Sequence, residues 1–188
     1  MLAPNFFSLE ARIVVKIQAI ETTYNGYRFR SRLEARWAVF FDAIGQEYEY
    51  EPEGFELMSG RYLPDFCFGR DSKYPQWVEV KPPGETELDP RWLEFTKLRG
   101  SPPSITTDYL TVFSGDPVDC KVFTSAWGNT WLRGFWCDTL QPFSSTYSID
   151  TQEGLVVRLP LVVGDWTAFA AAKVKARQAR FEFGETPE

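Results

Sequence analysis

YLPDFCFGRDSKYPQWVEVK, residues 62–81, is the stretch that decides the fold of this chain. Two runs of alternating character, 62–68 and 76–81, flank the polar turn GRDSKYP, and successive side chains of a strand point to opposite faces of its sheet. The alternation puts Leu63, Asp65 and Cys67 on one face of the first strand and Trp77, Glu79 and Lys81 on one face of the second. A turn symmetric about Ser72 sets Asp65 opposite Glu79 and Cys67 opposite Trp77. The spacing therefore predicts two carboxylates and an ammonium on a single sheet face. Like charges directly opposite each other destabilise a sheet, so this pair is expected where solvent is generous or where a cation sits between them. Oxygen ligands of this kind suit a hard divalent ion, Mg²⁺ or Mn²⁺.

Upstream, the β-branched run 11–22 predicts a strand that ends near Asn25-Gly26, the strongest short hairpin signal, with a short return strand over 27–30. Ser31 then stands as the N-cap of a helix, RLEARWAVFFDAIG, whose Leu33, Trp37, Phe40, Phe41 and Ile44 form one stripe and whose stop is Gly45. Glu34 lies along that apolar stripe, a poor place for a carboxylate without a partner. Two roles compete for it. Ser-Arg-Leu-Glu is a capping box, in which Glu34 bonds back to the start of the helix; alternatively Glu34 is a third carboxylate for the metal. If it caps, Glu47, Glu49 and Glu51 are the acids left to supply one, in a predicted strand over 48–57 whose Pro52 favours an edge or a bulge.

Downstream, DPRWLEFTKLR predicts a short helix over 89–99 with Asp89 as its cap and Pro90 at its first position. Residues 109–114, YLTVFS, read as a buried strand. The order makes an α/β chain with a mixed sheet flanked by helices. Composition changes near residue 115, so the expected organisation is a core over 1–115, with its N-terminal hairpin, and an extension over 116–188. That extension is β-rich, with short strands at 121–124, 131–136 and 155–159, and ends in a helix from Asp165 that packs on the core.

The chain has 188 residues and no histidine, which removes histidine general bases, Ser/His/Asp and Cys/His nucleophile systems and histidine-bound metals together. Catalysis here is left to carboxylates, lysine or an oxygen-ligated metal. Twenty basic against 26 acidic side chains give a net charge of −6, which argues against coating nucleic acid through bulk charge. Arg28, Arg30, Arg32 and Arg36 nevertheless fall within nine residues, either as a solvated face balancing nearby acids or as a phosphate-gripping patch beside the helix start. Three cysteines without a C-x-x-C pair argue against a disulfide framework or a cysteine-built zinc site and fit a reducing cytoplasm. Neither a membrane-spanning run nor an export signal is expected.

Glu34 in RSRLEARW, Pro64-Asp65 in YLPDF and Glu79-Val80-Lys81 in WVEVKP, with thirteen residues between Asp65 and Glu79, resemble the pattern of the PD-(D/E)XK, or restriction-endonuclease-like, nuclease superfamily. The likeness covers about residues 26–115 and is greatest to nuclease-like proteins of bacteriophages and actinobacteria. It implies an α-β-β-β-α-β core and an endonuclease, dependent on Mg²⁺ or Mn²⁺, that hydrolyses DNA phosphodiester bonds in line and leaves a 5′-phosphate. It further implies that Asp65, Glu79 and the Val80 carbonyl hold the metal, with Glu34 binding directly, through water or to a second ion. Lys81 would orient or help deprotonate the attacking water. The implied partner is DNA, with room for a protein partner or a homo-oligomer and none for a membrane, in the cytoplasm of a bacterium or phage-infected cell. The rival expectation is a catalytically silent protein of the same fold that binds nucleic acid or a protein partner, such as a phage-encoded inhibitor or structural subunit.

Overall fold

Asn25 and Gly26 turn the chain as their dipeptide demands. In the computed structural model, which describes residues 19–72, 75–84, 89–98, 110–124, 147–150, 156–159 and 166–181, both have left-handed backbones, with φ of 46° and 79°. They join β1 (Thr22–Tyr24) to β2 (Tyr27–Phe29), with Tyr24 opposite Tyr27. Residues 11–18 of the longer strand expected there lie outside the described residues. Helix α1 (Arg32–Ala43) begins at Ser31, which is extended and whose side chain accepts the Glu34 N–H. It ends at Ile44 and Gly45, the glycine being left-handed at φ 73°.

The two strands expected over 48–57 and 62–68 are in fact four short ones: β3 (Glu49–Tyr50), β4 (Phe55–Leu57), β5 (Gly60–Tyr62) and β6 (Phe66–Phe68). Pro52 and Pro64 lack the N–H that a continuous ladder needs, and Glu51 turns the chain through a left-handed conformation, φ 45°. β4 and β5 form a separate hairpin across Met58 and Ser59, with Leu57 opposite Gly60. After β6 come β7 (Gln76–Lys81), α2 (Pro90–Leu98), β8 (Leu110–Gly115), β9 (Cys120–Thr124), β10 (Tyr147–Asp150), β11 (Val156–Leu159) and α3 (Trp166–Gln178). The main sheet has the order β3-β6-β7-β8-β9 and is mixed, because β7 and β8 are parallel while its other neighbours are antiparallel. A parallel pair requires a long crossover, and α2 lies in it. The expected register holds: Phe66 faces Val78 and Cys67 faces Trp77.

Alternation along the strands sorts the core into two layers. Phe66, Phe68, Val78, Val80 and Phe113 pack with Trp37, Phe40 and Phe41 of α1. Cys67, Trp77, Leu110 and Val112 pack on the opposite side with Trp92 and Phe95 of α2 and with Tyr62. Trp37 stacks on Phe113 at 4.1 Å, and its indole N–H donates to the Gly115 carbonyl at 3.0 Å. Gly115 has no substitute there, since it is left-handed at φ 108° and a Cβ would lie 2.5 Å from the Asp119 carbonyl oxygen. α3 lays Phe169 against Phe40 and brings Ala172 and Ala176 into the α1 layer, joined by Ala179 just past its end. β9, beyond the composition change at 115, is the fifth strand of the main sheet, whereas among the described residues β10 and β11 pair with each other alone. The strand expected at 131–136 lies outside the described residues. Cys67 and Cys120 are buried. Among the described residues no helix is long and apolar enough to cross a membrane.

Phe41, fully buried, meets Trp37, Tyr48, Phe66, Phe68 and Phe113. Phe41→Ala should therefore cost about 3–5 kcal/mol in urea unfolding. Met58→Ala, at the 99% exposed tip of the β4–β5 hairpin, should stay within about 0.5 kcal/mol of the parent.

Candidate functional site

Continuing the β6–β7 register one pair beyond Phe66 and Val78 brings Asp65 level with Glu79. Asp65 stands at the entry to β6, where its Oδ2 accepts the Val80 N–H at 2.7 Å and its carbonyl accepts the Glu51 N–H at 2.9 Å. Glu79 points to the α2 side of β7 because Val78 and Val80 point to the α1 side. Its Oε1 is 2.5 Å from the Lys81 Nζ, and its Oε2 accepts the Tyr62 hydroxyl at 3.1 Å. The Lys81 ammonium also lies 5.7 Å from the centre of the Trp92 ring. Asp65 and Glu79 are only 8% and 5% exposed.

Burial dominates the electrostatics. It pushes the Asp65 carboxyl well above its ordinary range, and the charges of Glu79 and Glu34 push it further, while the Val80 N–H and Lys81 pull the other way. Burial also raises Glu79, held back by the charge and hydrogen bond of Lys81 and by the Tyr62 hydroxyl. For Lys81 burial works against the ammonium, but Glu79 and then Asp65 outweigh it and the pKa rises. Tyr62 is raised by burial and by the two carboxylates. With both carboxyls ionised, one ammonium stands against two buried acids, with the more distant Arg91 acting on Glu79 through its charge alone, and the balance is left to a proton or a bound cation.

That deficit is what a cation would supply, and the donors fit one. Among the described residues no three His, Cys, Asp or Glu side chains converge into a metal cage. Mg²⁺, however, is ordinarily held by one or two carboxylates and keeps several waters, so Asp65, Glu79 and a backbone carbonyl form an adequate set.

Glu34 is bonded to the start of its own helix and to Tyr50. Its Oε1 accepts the Ser31 hydroxyl at 2.6 Å, and its Oε2 accepts the Tyr50 hydroxyl at 2.5 Å and the Arg30 N–H at 3.1 Å. With its own N–H donated to Ser31 at 3.2 Å, it is the cap of α1. Both oxygens are engaged, and Glu34 reaches Asp65 through its charge alone. Of the other acids considered, Glu49 pairs with Arg70 and Glu51 with Arg30.

No family model, curated protein or solved structure matches the chain. What the site can do therefore follows from its own side chains.

Tyr62, Tyr50 and Trp92 were not legible as site residues. An unbroken strand over 62–68 puts Tyr62 on the face opposite Asp65; the break at Leu63 and Pro64 resets the alternation and turns it toward Glu79. Pro64 was the available signal. In the expected phosphate patch, Arg28 is ion-paired with Glu21 and Arg30 with Glu51, while Arg36 keeps a buried Nε without a hydrogen-bond partner. A separate cleft of about 600 Å³, lined by Tyr27, Tyr48 and the acids Asp42, Glu47, Glu49 and Asp71, does not include Asp65, Glu79 or Lys81.

The raised carboxyls set a pH dependence. An unfolded carboxylate gives up its proton near pH 4, while folded Asp65 and Glu79 hold theirs longer, so above about pH 4 the folded state binds more protons and stability falls as pH rises. Lys81, raised by its partners, adds stability that is lost only above about pH 10, and Asp89, lowered by Arg91, acts only below about pH 4. In metal-free buffer the melting temperature should decline as the pH rises above about 4, and Asp65→Asn should flatten the decline and raise melting at neutral pH. For Glu34→Gln, an amide facing the Ser31, Tyr50 and Arg30 donors loses one acceptor. It should cost about 1–2 kcal/mol in urea unfolding while leaving Mn²⁺ affinity within about threefold.

Proposed function

We propose that this chain is a metal-dependent nuclease that hydrolyses DNA phosphodiester bonds on a restriction-endonuclease-like core. In that core α1, β3, β6, β7, α2 and β8 take the α-β-β-β-α-β order, with the β4–β5 hairpin inserted. The observation that carries the reading is the buried Asp65–Glu79 pair, whose ionised form needs a further cation, with Lys81 beside Glu79 on the same strand. Asp65, Glu79 and the Val80 carbonyl would hold Mg²⁺ or Mn²⁺. Such an ion, when bound, neutralises charge on the phosphoryl oxygens and lowers the pKa of a bound water.

The chain's own groups do the rest. Lys81 has a flexible stem and a partly buried ammonium, and it orients the attacking water and stabilises the developing charge. Trp92 and Tyr62, both buried, limit the water that reaches Glu79. Glu34 closes the first turn of α1 and, with Tyr50, positions the strand entry that carries Asp65. Arg28, Arg30, Arg32 and Arg36 offer phosphate contacts at the start of α1. The Arg28–Glu21 pair is exposed on both sides and contributes little, so Arg28 can exchange it for a phosphate. A cytoplasmic setting, in a bacterium or a phage-infected cell, agrees with three cysteines that form no C-x-x-C pair.

A second reading keeps the fold and drops the chemistry. It is favoured by the net charge of −6 and by the acids that occupy Arg28 and Arg30. On this reading the chain binds nucleic acid or a protein partner without cleaving.

Cleavage of plasmid, linear duplex, single-stranded and junction DNA with Mg²⁺, Mn²⁺ or EDTA separates the two. The expected result is cleavage that EDTA stops and that Asp65→Ala or Lys81→Ala lowers by about 10²–10⁴-fold, with circular dichroism unchanged. Parent rates from either variant overturn the assignment. Binding of DNA without cleavage of any substrate favours the silent reading.

A further inference from the structure

Lys81 cannot serve a phosphate while its ammonium is held by Glu79. The two are 2.5 Å apart, with side chains 26% and 6% exposed, so the contact is largely withdrawn from solvent. The remaining holds on the pair are of a different kind. The Val80 N–H fixes Asp65 Oδ2 from the backbone, and the buried Tyr62 ring fixes Glu79 Oε2 from β5. Lys81 is charged and sits on a four-carbon stem, and its ammonium has a second attractive surface, the Trp92 ring face, at 5.7 Å.

We infer that Lys81 is the resident cation of the Asp65–Glu79 pair, that its ammonium and a divalent ion compete for Glu79, and that Tyr62 keeps Glu79 aimed at Asp65 when Lys81 leaves. The inference rests on the reading of Asp65 and Glu79 as metal ligands and adds a regulation of that site. With the competitor bound, the ammonium is released beside Trp92 and becomes available to an anionic substrate. Cation uptake and phosphate binding then reinforce each other, by the same factor in both directions.

The test is calorimetric titration of the full chain with MnCl₂ in the absence of DNA. Lys81→Met, which removes the competitor, should bind Mn²⁺ on the order of tenfold more tightly. Tyr62→Phe should bind it about three- to tenfold more weakly, whereas a merely structural Tyr62 would lower melting and leave affinity alone. An independent measurement on the unaltered chain, labelled with ¹³C in lysine, follows the Lys81 side-chain resonance, assigned by its loss in Lys81→Arg. Saturating Mg²⁺ should shift that resonance, and Asp65→Asn should abolish the shift. A folded Lys81→Met that binds no tighter than the parent, a Tyr62→Phe of parent affinity, or an unmoved Lys81 resonance overturns the inference. If any of these occurs while the parent binds Mn²⁺ and Asp65→Asn does not, the metal reading survives alone. Absence of Mn²⁺ uptake by both the parent and Lys81→Met overturns the two together.

Discussion

Two carboxylates closed beneath an aromatic layer, with one ammonium between them and neutrality, impose the central constraint on this molecule. Removing an ionised carboxylate from water is costly unless charge or hydrogen bonds replace the lost solvent. The replacements here are few and specific: the Val80 N–H on Asp65, and the Tyr62 hydroxyl and Lys81 ammonium on Glu79. Each comes from the strand bearing Glu79 or from the strand entering the neighbouring hairpin. The site is thus a property of β7 and its immediate surroundings, and β7 also carries Val78 and Val80 into the main core. Charge and packing occupy alternate positions of one strand, so neither can move without the other.

The opposite face of the sheet supplies the rigidity this arrangement needs. Trp37 on Phe113, and Phe41 against Phe66 and Phe68, tie α1 to β6 and β8, the strands on either side of Glu79. The Glu34–Tyr50 bond then joins the first turn of α1 to β3, next to β6. Interdigitated aromatic side chains leave little freedom for a strand to slide, and functional groups must be held to within a fraction of an ångström to act together. Glu34 serves the site by fixing its frame and by adding negative charge near Asp65, with its own oxygens fully engaged.

Features that depend on adjacent residues were readable in the sequence. Asn25-Gly26 sets its own dihedrals, Ser31 and Glu34 cap within one turn, Asp89 and Pro90 open α2, and the β6–β7 register follows from a symmetric turn. Asp65, Glu79 and Lys81 were found because alternation carries them to one face. The alternation misled where backbone chemistry interrupts it, at Glu51-Pro52 and at Pro64, and Tyr62 turns toward Glu79 for that reason. Trp92 reaches Lys81 from a helix beyond the hairpin, and Arg30 meets Glu51 across 21 positions of sequence. Such pairings are set by tertiary packing and leave no local trace. Glu34 was ambiguous in sequence because its two roles require the same residue at the same place.

The abrupt end of β3 has a further consequence. A strand at the margin of a sheet displays unpaired backbone groups on which another chain can build. β3 is two residues long, and Glu51 swings the backbone out of the ladder immediately after it. The margin is therefore too short to template an added strand. Among the described residues, this margin offers a second copy only a two-residue ladder on which to extend the sheet.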